Sequence, residues 1–213
     1  MLQLITDGRR LTPAGDVAAV IAALEAQAAA AVAGGVDFIQ VREPWLEAGD
    51  LYRLVRALLP VVRGSATRLL VNDRLDVALA AGAGGVHLKS ESIAPAEARR
   101  LAPPGFFIGL SVHTVEEARR AEDADYLVAG TVWPTASKTE GHACIGVDGL
   151  RAIVRATSRP VLAIGGVTGK RLAEVAATGA AGLAAISFFN STGSGLTAII
   201  AAAHRFDTPE SGS

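Results

Sequence analysis

Cysteine is nearly missing from this chain: Cys144 is the single one among 213 residues. An internal disulfide and a thiolate metal cluster are therefore both excluded. Charge of one sign is missing too. Twenty Lys and Arg stand against 21 Asp and Glu, giving a formal net charge of −1. The charges are interspersed, so the basic stripe that a nucleic-acid surface needs is not there. Long hydrophobic runs are also lacking. The softest stretch, Ala28 to Gly35, is too short and too broken by glycine to span a bilayer. The N-terminus enters an apolar run at once, without the basic segment and long apolar core of a signal peptide. The expected setting is the cytoplasm, with no nucleic-acid or membrane partner. Neither a His-Glu-x-x-His metal motif nor a Gly-x-Ser-x-Gly elbow occurs.

What the chain has is apolar bulk in a regular order. Half of its residues are hydrophobic, ample for one buried core. Strand-like runs alternate with alanine-rich helical runs from end to end. The strands are expected at Leu2–Thr6, Phe38–Val41, Leu69–Val71, Val86–Leu88, Phe106–Leu110, Tyr126–Ala129, Val161–Ile164 and Gly182–Ser187. Asp16 is expected to cap a helix that Gly34 and Gly35 stop. Pro95 fits a first helical turn, Thr114 to Glu117 forms a capping box, and Asp148 is expected to cap the helix after a long sixth loop. Eight such units predict a single-domain α/β fold, a (β/α)8 TIM barrel over residues 1–206, with 207–213 as a disordered tail. An open doubly wound sheet would carry a glycine-rich turn after its first strand, where only Gly8 stands.

Polar residues follow each apolar run in phase. They are Asp7, Gln40 with Arg42, Asn72 with Asp73, His87, Ser111 with His113, Thr131, Gly165 with Gly166, and Ser187. In a barrel all of these meet at the C-terminal rim, where active sites are built. Gly165 and Gly166 end strand seven with no side chains, so main-chain N–H groups can approach an anion, and Ser187 ends strand eight in a hydroxyl. Arg42 suits bidentate phosphate binding, or alternatively pairs with Glu43 or Asp73. Asp73 is a Mg²⁺ ligand or a helix N-cap. Lys138, in the long loop, closes over a phosphate or is merely solvated. His87 reads as a packed, hydrogen-bonded core histidine, while Ser111 and His113 both face the barrel mouth and His142 is a proton carrier or plain surface.

These segments together resemble the thiamin phosphate synthase/TenI family. The carrying motifs are Leu-Ile-Thr-Asp7, Gln40-Val-Arg-Glu43, Val71-Asn-Asp73, Gly85-Val-His-Leu88, Ser111 to Glu117, Gly130-Thr-Val-Trp-Pro-Thr135, Ser137-Lys138, Ile164-Gly-Gly166 and Ala185-Ile-Ser187. The resemblance implies a barrel that binds a thiazole phosphate. Such enzymes either join it to an aminopyrimidine diphosphate with Mg²⁺ or tautomerise a thiazole carboxylate phosphate. It further implies that Gln40, Arg42, Asn72 and Lys138 contact the pyrimidine diphosphate, and that Asp73 holds Mg²⁺. Thr135 would lie by the thiazole, Gly166 and Ser187 would hold its phosphate, and Ser111 would stand near the leaving diphosphate.

Three positions depart from the family pattern. Pro44 stands where synthases carry a lysine, and Ser92 where they carry a second metal aspartate. Each lost charge-assisted contact costs about 1.5–3 kcal/mol, so the Mg²⁺ site is expected to be weakened. Ser92 and Ser111-Val-His113 look more like the TenI branch. Thr131, however, stands where that branch places a catalytic histidine, and threonine does not titrate near pH 7. The reading that follows is a TenI-like tautomerase in which His113 or His142 carries the proton. A synthase with a weakened metal site comes second, and a phosphate-binding protein without turnover third. A Schiff-base aldolase is disfavoured because no lysine lies within an apolar strand. Apolar outer helices permit a homo-oligomer.

Overall fold

The computed structural model describes residues 1–13, 15–135, 143–189 and 193–204. Eight parallel strands close into a barrel in sequence order: β1 (Leu2–Ile5), β2 (Phe38–Val41), β3 (Arg68–Asn72), β4 (Gly85–Leu88), β5 (Phe107–Val112), β6 (Tyr126–Gly130), β7 (Val161–Ile164) and β8 (Gly182–Ala185). The ring is sealed by β8 pairing with β1, Ala184 opposite Gln3. A helix follows each strand, because a parallel neighbour must be reached by a crossover and both strand faces must be covered. The expected barrel is what forms.

Local signals explain the helices. Asp16 caps Val17–Ala33 by accepting from the Ala19 N–H at 2.9 Å, and Gly35 beyond it takes a φ of 79°. Thr114 and Glu117 form the full capping box before Val115–Arg120. Pro95 opens Pro95–Leu101. One cap falls elsewhere. The helix after the sixth loop is Gly146–Ala156, and Ile145 is its N-cap. The expected cap, Asp148, lies inside the first turn, exposed and bonded to Arg151 at 2.6 Å. The backbone decides this start: the Ile145 and Gly146 N–H groups bond to the Thr131 and Val132 carbonyls, pinning the returning loop to the end of β6.

Strand periodicity sorts the core into two layers. Outward residues such as Leu4, Ile39, Val71 and Leu183 pack under the helices. Inward residues fill the barrel: Ile5, Phe38, Leu70, Tyr126, Val128, Leu162 and Ala184. Phe38 stacks on Tyr126 with centroids 4.9 Å apart, and Phe107 lies 5.3 Å from Phe38 and 5.8 Å from Tyr126. This aromatic floor fits only because β5 offers Gly109. A Cβ there would meet His87 Nδ1 at 2.5 Å and fall nearer still to the Tyr126 ring. Among the described residues, no helix is long and apolar enough to cross a membrane.

Candidate active site

Beside and above the aromatic floor, several inward positions are polar. Gln3 donates to Gln40, and Gln40 Nε2 donates to Asn72 Oδ1 at 2.8 Å. On the next strands, the His87 ring bridges two hydroxyls, with Nδ1 2.9 Å from Tyr126 Oη and Nε2 3.0 Å from Ser111 Oγ. Burial pushes the His87 imidazole down to about 4, so at neutral pH it is uncharged, one nitrogen donating and the other accepting. The packed, bonded histidine expected from sequence is what the fold holds. Burial also drives the Tyr126 phenol well above its usual range, keeping its O–H intact.

This polar collar opens into a cavity of about 1170 Å³ at the C-terminal rim. Gln40, Arg42, Asn72, Ser111, His113, Thr135, Gly165, Gly166 and Ser187 all line it. Strand bounds explain part of this convergence. β3 extends to Asn72 and β5 to Val112, so Asn72 and Ser111 lie within strands, on the inward parity of Leu70 and Phe107. His113, just past β5, is exposed at the rim, and its Nδ1–H donates to the Gly130 carbonyl at 2.5 Å. That bond fixes one tautomer and leaves Nε2 as the basic nitrogen. Lys138 and His142 lie outside the described residues.

One corner of the cavity gathers main-chain N–H groups and two arginines. Gly165 and Gly166 have φ of 97° and 64°, a conformation that strains any residue with a Cβ. Gly165 also leaves room for Thr131, whose Cα would lie 3.0 Å from a Cβ there. Main-chain N–H groups of Gly165, Gly166 and Ser187 have no backbone acceptor among the described residues. Ser187 opens a short 3-10 turn, Ser187–Phe189, rather than ending β8 as expected, because β8 stops at Ala185. Two arginines that the sequence reading passed over frame this corner. Arg10 Nη1 donates to Ser187 Oγ at 2.5 Å, and Arg171 Nη1 donates to the Gly166 carbonyl at 2.6 Å while lying 4.8 Å over the Trp133 ring. Because the peptide is planar and trans, a Gly166 carbonyl held by Arg171 turns the Val167 N–H the other way.

The opposite wall, at the ends of β2, β3 and β4, carries the other charges. Glu43 does not pair with Arg42. It is buried, accepting from Thr6 Oγ1 at 2.6 Å, the Gly8 N–H at 2.9 Å and Trp45 Nε1 at 2.9 Å. Arg42 is left exposed at the cavity with no ion-pair partner among the described residues. Asp73 caps no helix either: the following helix, Leu75–Ala81, has Arg74 at its N-cap. Asp73 takes a φ of 63°, which Asp tolerates better than most residues, with its N–H bonded to the His87 carbonyl at 2.8 Å. Its carboxylate meets Lys89 Nζ at 2.7 Å through Oδ2 and accepts from the Ser92 hydroxyl through Oδ1. Burial opposes its ionisation, but the hydrogen bonds from Lys89 and Ser92 and the ammonium charge outweigh that and hold the carboxyl below its usual value.

Lys89 was the other residue that sequence reading missed. Its position directly after a strand, beside Ser90 and Glu91, was the available signal. The contacts bear on the Mg²⁺ expected at Asp73. A hard cation needs open oxygen ligands, and here both carboxylate oxygens already hold protein donors. Among the described residues, no group of three or more His, Cys, Asp and Glu is placed to hold a metal ion. The donors present among the described residues do not fit a resident divalent cation.

Comparison with known proteins agrees with the motifs. A family profile described as thiamine monophosphate synthase matches residues 11–189. The thiamine-phosphate synthase of Methanoculleus marisnigri is 45% identical over 159 residues, 74% of this chain and 75% of that protein. That of Coprothermobacter proteolyticus is 45% identical over 166 residues, 77% and 78% of the two chains. Among solved structures, a thiamine phosphate pyrophosphorylase from Pyrococcus furiosus superimposes with a TM-score of 0.79 at 35% identity, covering 96% of this chain and 94% of that one. A 3-hexulose-6-phosphate synthase from Salmonella typhimurium, at 15% identity and a TM-score of 0.68 over 96% and 97% of the two chains, shares the fold alone. With the profile spanning most of the chain and relatives aligned over three quarters of it, this protein belongs to the thiamin phosphate synthase/TenI family of enzymes.

Proposed function

We propose that this chain is a thiamin phosphate synthase, joining an aminopyrimidine diphosphate to a thiazole phosphate with release of diphosphate. The synthase thereby takes first place over the tautomerase that the sequence motifs favoured. One observation carries the reading: a single cavity has hydrogen-bond donors and cations on two separate walls. Gly165, Gly166, Ser187, Arg10 and Arg171 form one, at β7 and β8. Arg42 and Lys89 stand on the other, at β2 and β4. A tautomerase has one phosphate and one carboxylate to hold, whereas a coupling enzyme must hold a monophosphate and a more highly charged diphosphate, which suits two cations on the second wall. The relatives' names support the same choice.

In this reading the thiazole phosphate lies against the Gly165–Gly166 turn and Ser187, with Thr135 beside the ring. Gln40 and Asn72, held in register by their mutual bond, face the pyrimidine, and Arg42 meets the diphosphate. As the carbon–oxygen bond to diphosphate breaks and the bond to thiazole forms, negative charge grows on the departing oxygen. The cations on that wall and the Ser111 hydroxyl on neighbouring β5 stabilise it. His87, uncharged and braced by Tyr126, orients Ser111 rather than moving a proton itself.

A second reading, tautomerisation, rests on His113, a histidine exposed at the rim whose Nε2 has no partner among the described residues. Incubation with both substrates separates the two. The synthase reading expects thiamin phosphate and diphosphate in equal amounts, with Ser187→Ala raising KM for the thiazole phosphate and Arg42→Ala raising it for the diphosphate. No coupled product, together with proton exchange that His113→Ala abolishes, would give the tautomerase precedence. Tight thiazole phosphate binding with neither reaction would leave the ligand-binding protein.

A further inference from the structure

The Asp73 corner has the plan of a cation site with the cation built in. Asp73 and Lys89 leave adjacent strands, β3 and β4, and the Asp73 N–H is tied to the His87 carbonyl, so the two side chains start from fixed points. The turn after β4 is closed by Ser92, whose hydroxyl accepts from the Lys89 N–H at 3.1 Å and donates to Asp73. One carboxylate oxygen is thus used by Ser92 and the other by Lys89 Nζ at 2.7 Å. An ammonium carries three donors, so the bond to Asp73 orients it and leaves two for a ligand. Lys89 lines the cavity, as does Arg42 on the same wall.

Two charges cannot share this corner easily. A divalent ion brought to Asp73 would have to displace Lys89 or lie against it, and like charges at a few ångströms repel. Ser92 offers a hydroxyl where a carboxylate would be needed to offset the added charge. We propose that the Lys89 ammonium, held on the Asp73 carboxylate, serves as a tethered cation for the diphosphate, so that diphosphate binding here does not depend on Mg²⁺. This rests on the synthase reading above for the identity of the ligand.

Inorganic pyrophosphate, titrated calorimetrically into the whole protein in EDTA and then in excess Mg²⁺, tests it. Affinities in the two buffers should agree within about threefold. Lys89→Met should weaken binding in EDTA by about tenfold or more, the loss of one charge-assisted contact. Lys89→Arg keeps the charge and should retain most of it. With Asp73 released, Lys89→Met and the double variant Lys89→Gly/Ser92→Asp should both regain affinity when Mg²⁺ is added. The proposal is overturned if the unaltered protein binds pyrophosphate only with Mg²⁺, or if Lys89→Met binds normally in EDTA. Turnover is scored separately. Mg²⁺-free pyrophosphate binding without coupling sinks the synthase reading alone, whereas coupling that requires Mg²⁺ for pyrophosphate binding sinks the Lys89 proposal alone.

Discussion

His87 is 3% exposed and bridges two hydroxyls as a neutral ring, which couples the fold to pH. Its value near 4 lies below the ordinary 6.5 of the unfolded chain, so between these limits the unfolded state binds more protons. Stability is therefore full above about pH 6.5 and falls as pH drops towards 4, by roughly 3 kcal/mol if this group acts alone. Urea unfolding midpoints taken stepwise across that window should show the slope, and His87→Gln should flatten it. Gly109 is a second single-residue control. Ala there drives a methyl into Tyr126 and His87, and overpacking of this kind costs about 1–3 kcal/mol. Gly109→Ala should lower the thermal midpoint while leaving the far-ultraviolet spectrum of a barrel.

Elements are joined at the rim by a few side chains rather than by sheet alone. Glu43, just after β2, holds Thr6 and Gly8 after β1 and Trp45 in its own loop. Replacing it with Ala strands three donors, each costing about 1–3 kcal/mol when buried and unpaired. Glu43→Ala should lose several kcal/mol in denaturant titration, and Glu43→Gln less, since one oxygen remains. The β7 turn behaves differently. Gly166→Ala places a Cβ 2.8 Å from the Pro134 carbonyl and forces a φ of 64° on alanine. Such strain costs about 1–3 kcal/mol. On the proposed synthase reading, the same change should raise KM for the thiazole phosphate more than tenfold, measured with the diphosphate saturating. Caps were legible where the motif is local: Asp16 and Thr114 bond to groups three residues away. Asp148 failed as a cap because a distant pair of bonds, from Ile145 and Gly146 to the end of β6, sets that helix start.

Across the whole molecule the same division holds. Alternating apolar runs announced the barrel, since strand burial is a property of consecutive residues, and the rim followed from where each run ends. What stayed hidden were partners chosen by closure of the ring. Arg10 meets Ser187 only because β8 returns beside β1, and Lys89 reaches Asp73 because β4 lies next to β3. Neither contact has a local signature. The aromatic floor of Phe38, Phe107 and Tyr126 carries one more consequence. A vessel stoppered from below is filled and emptied at its rim, so whatever settles deepest arrives first and departs last.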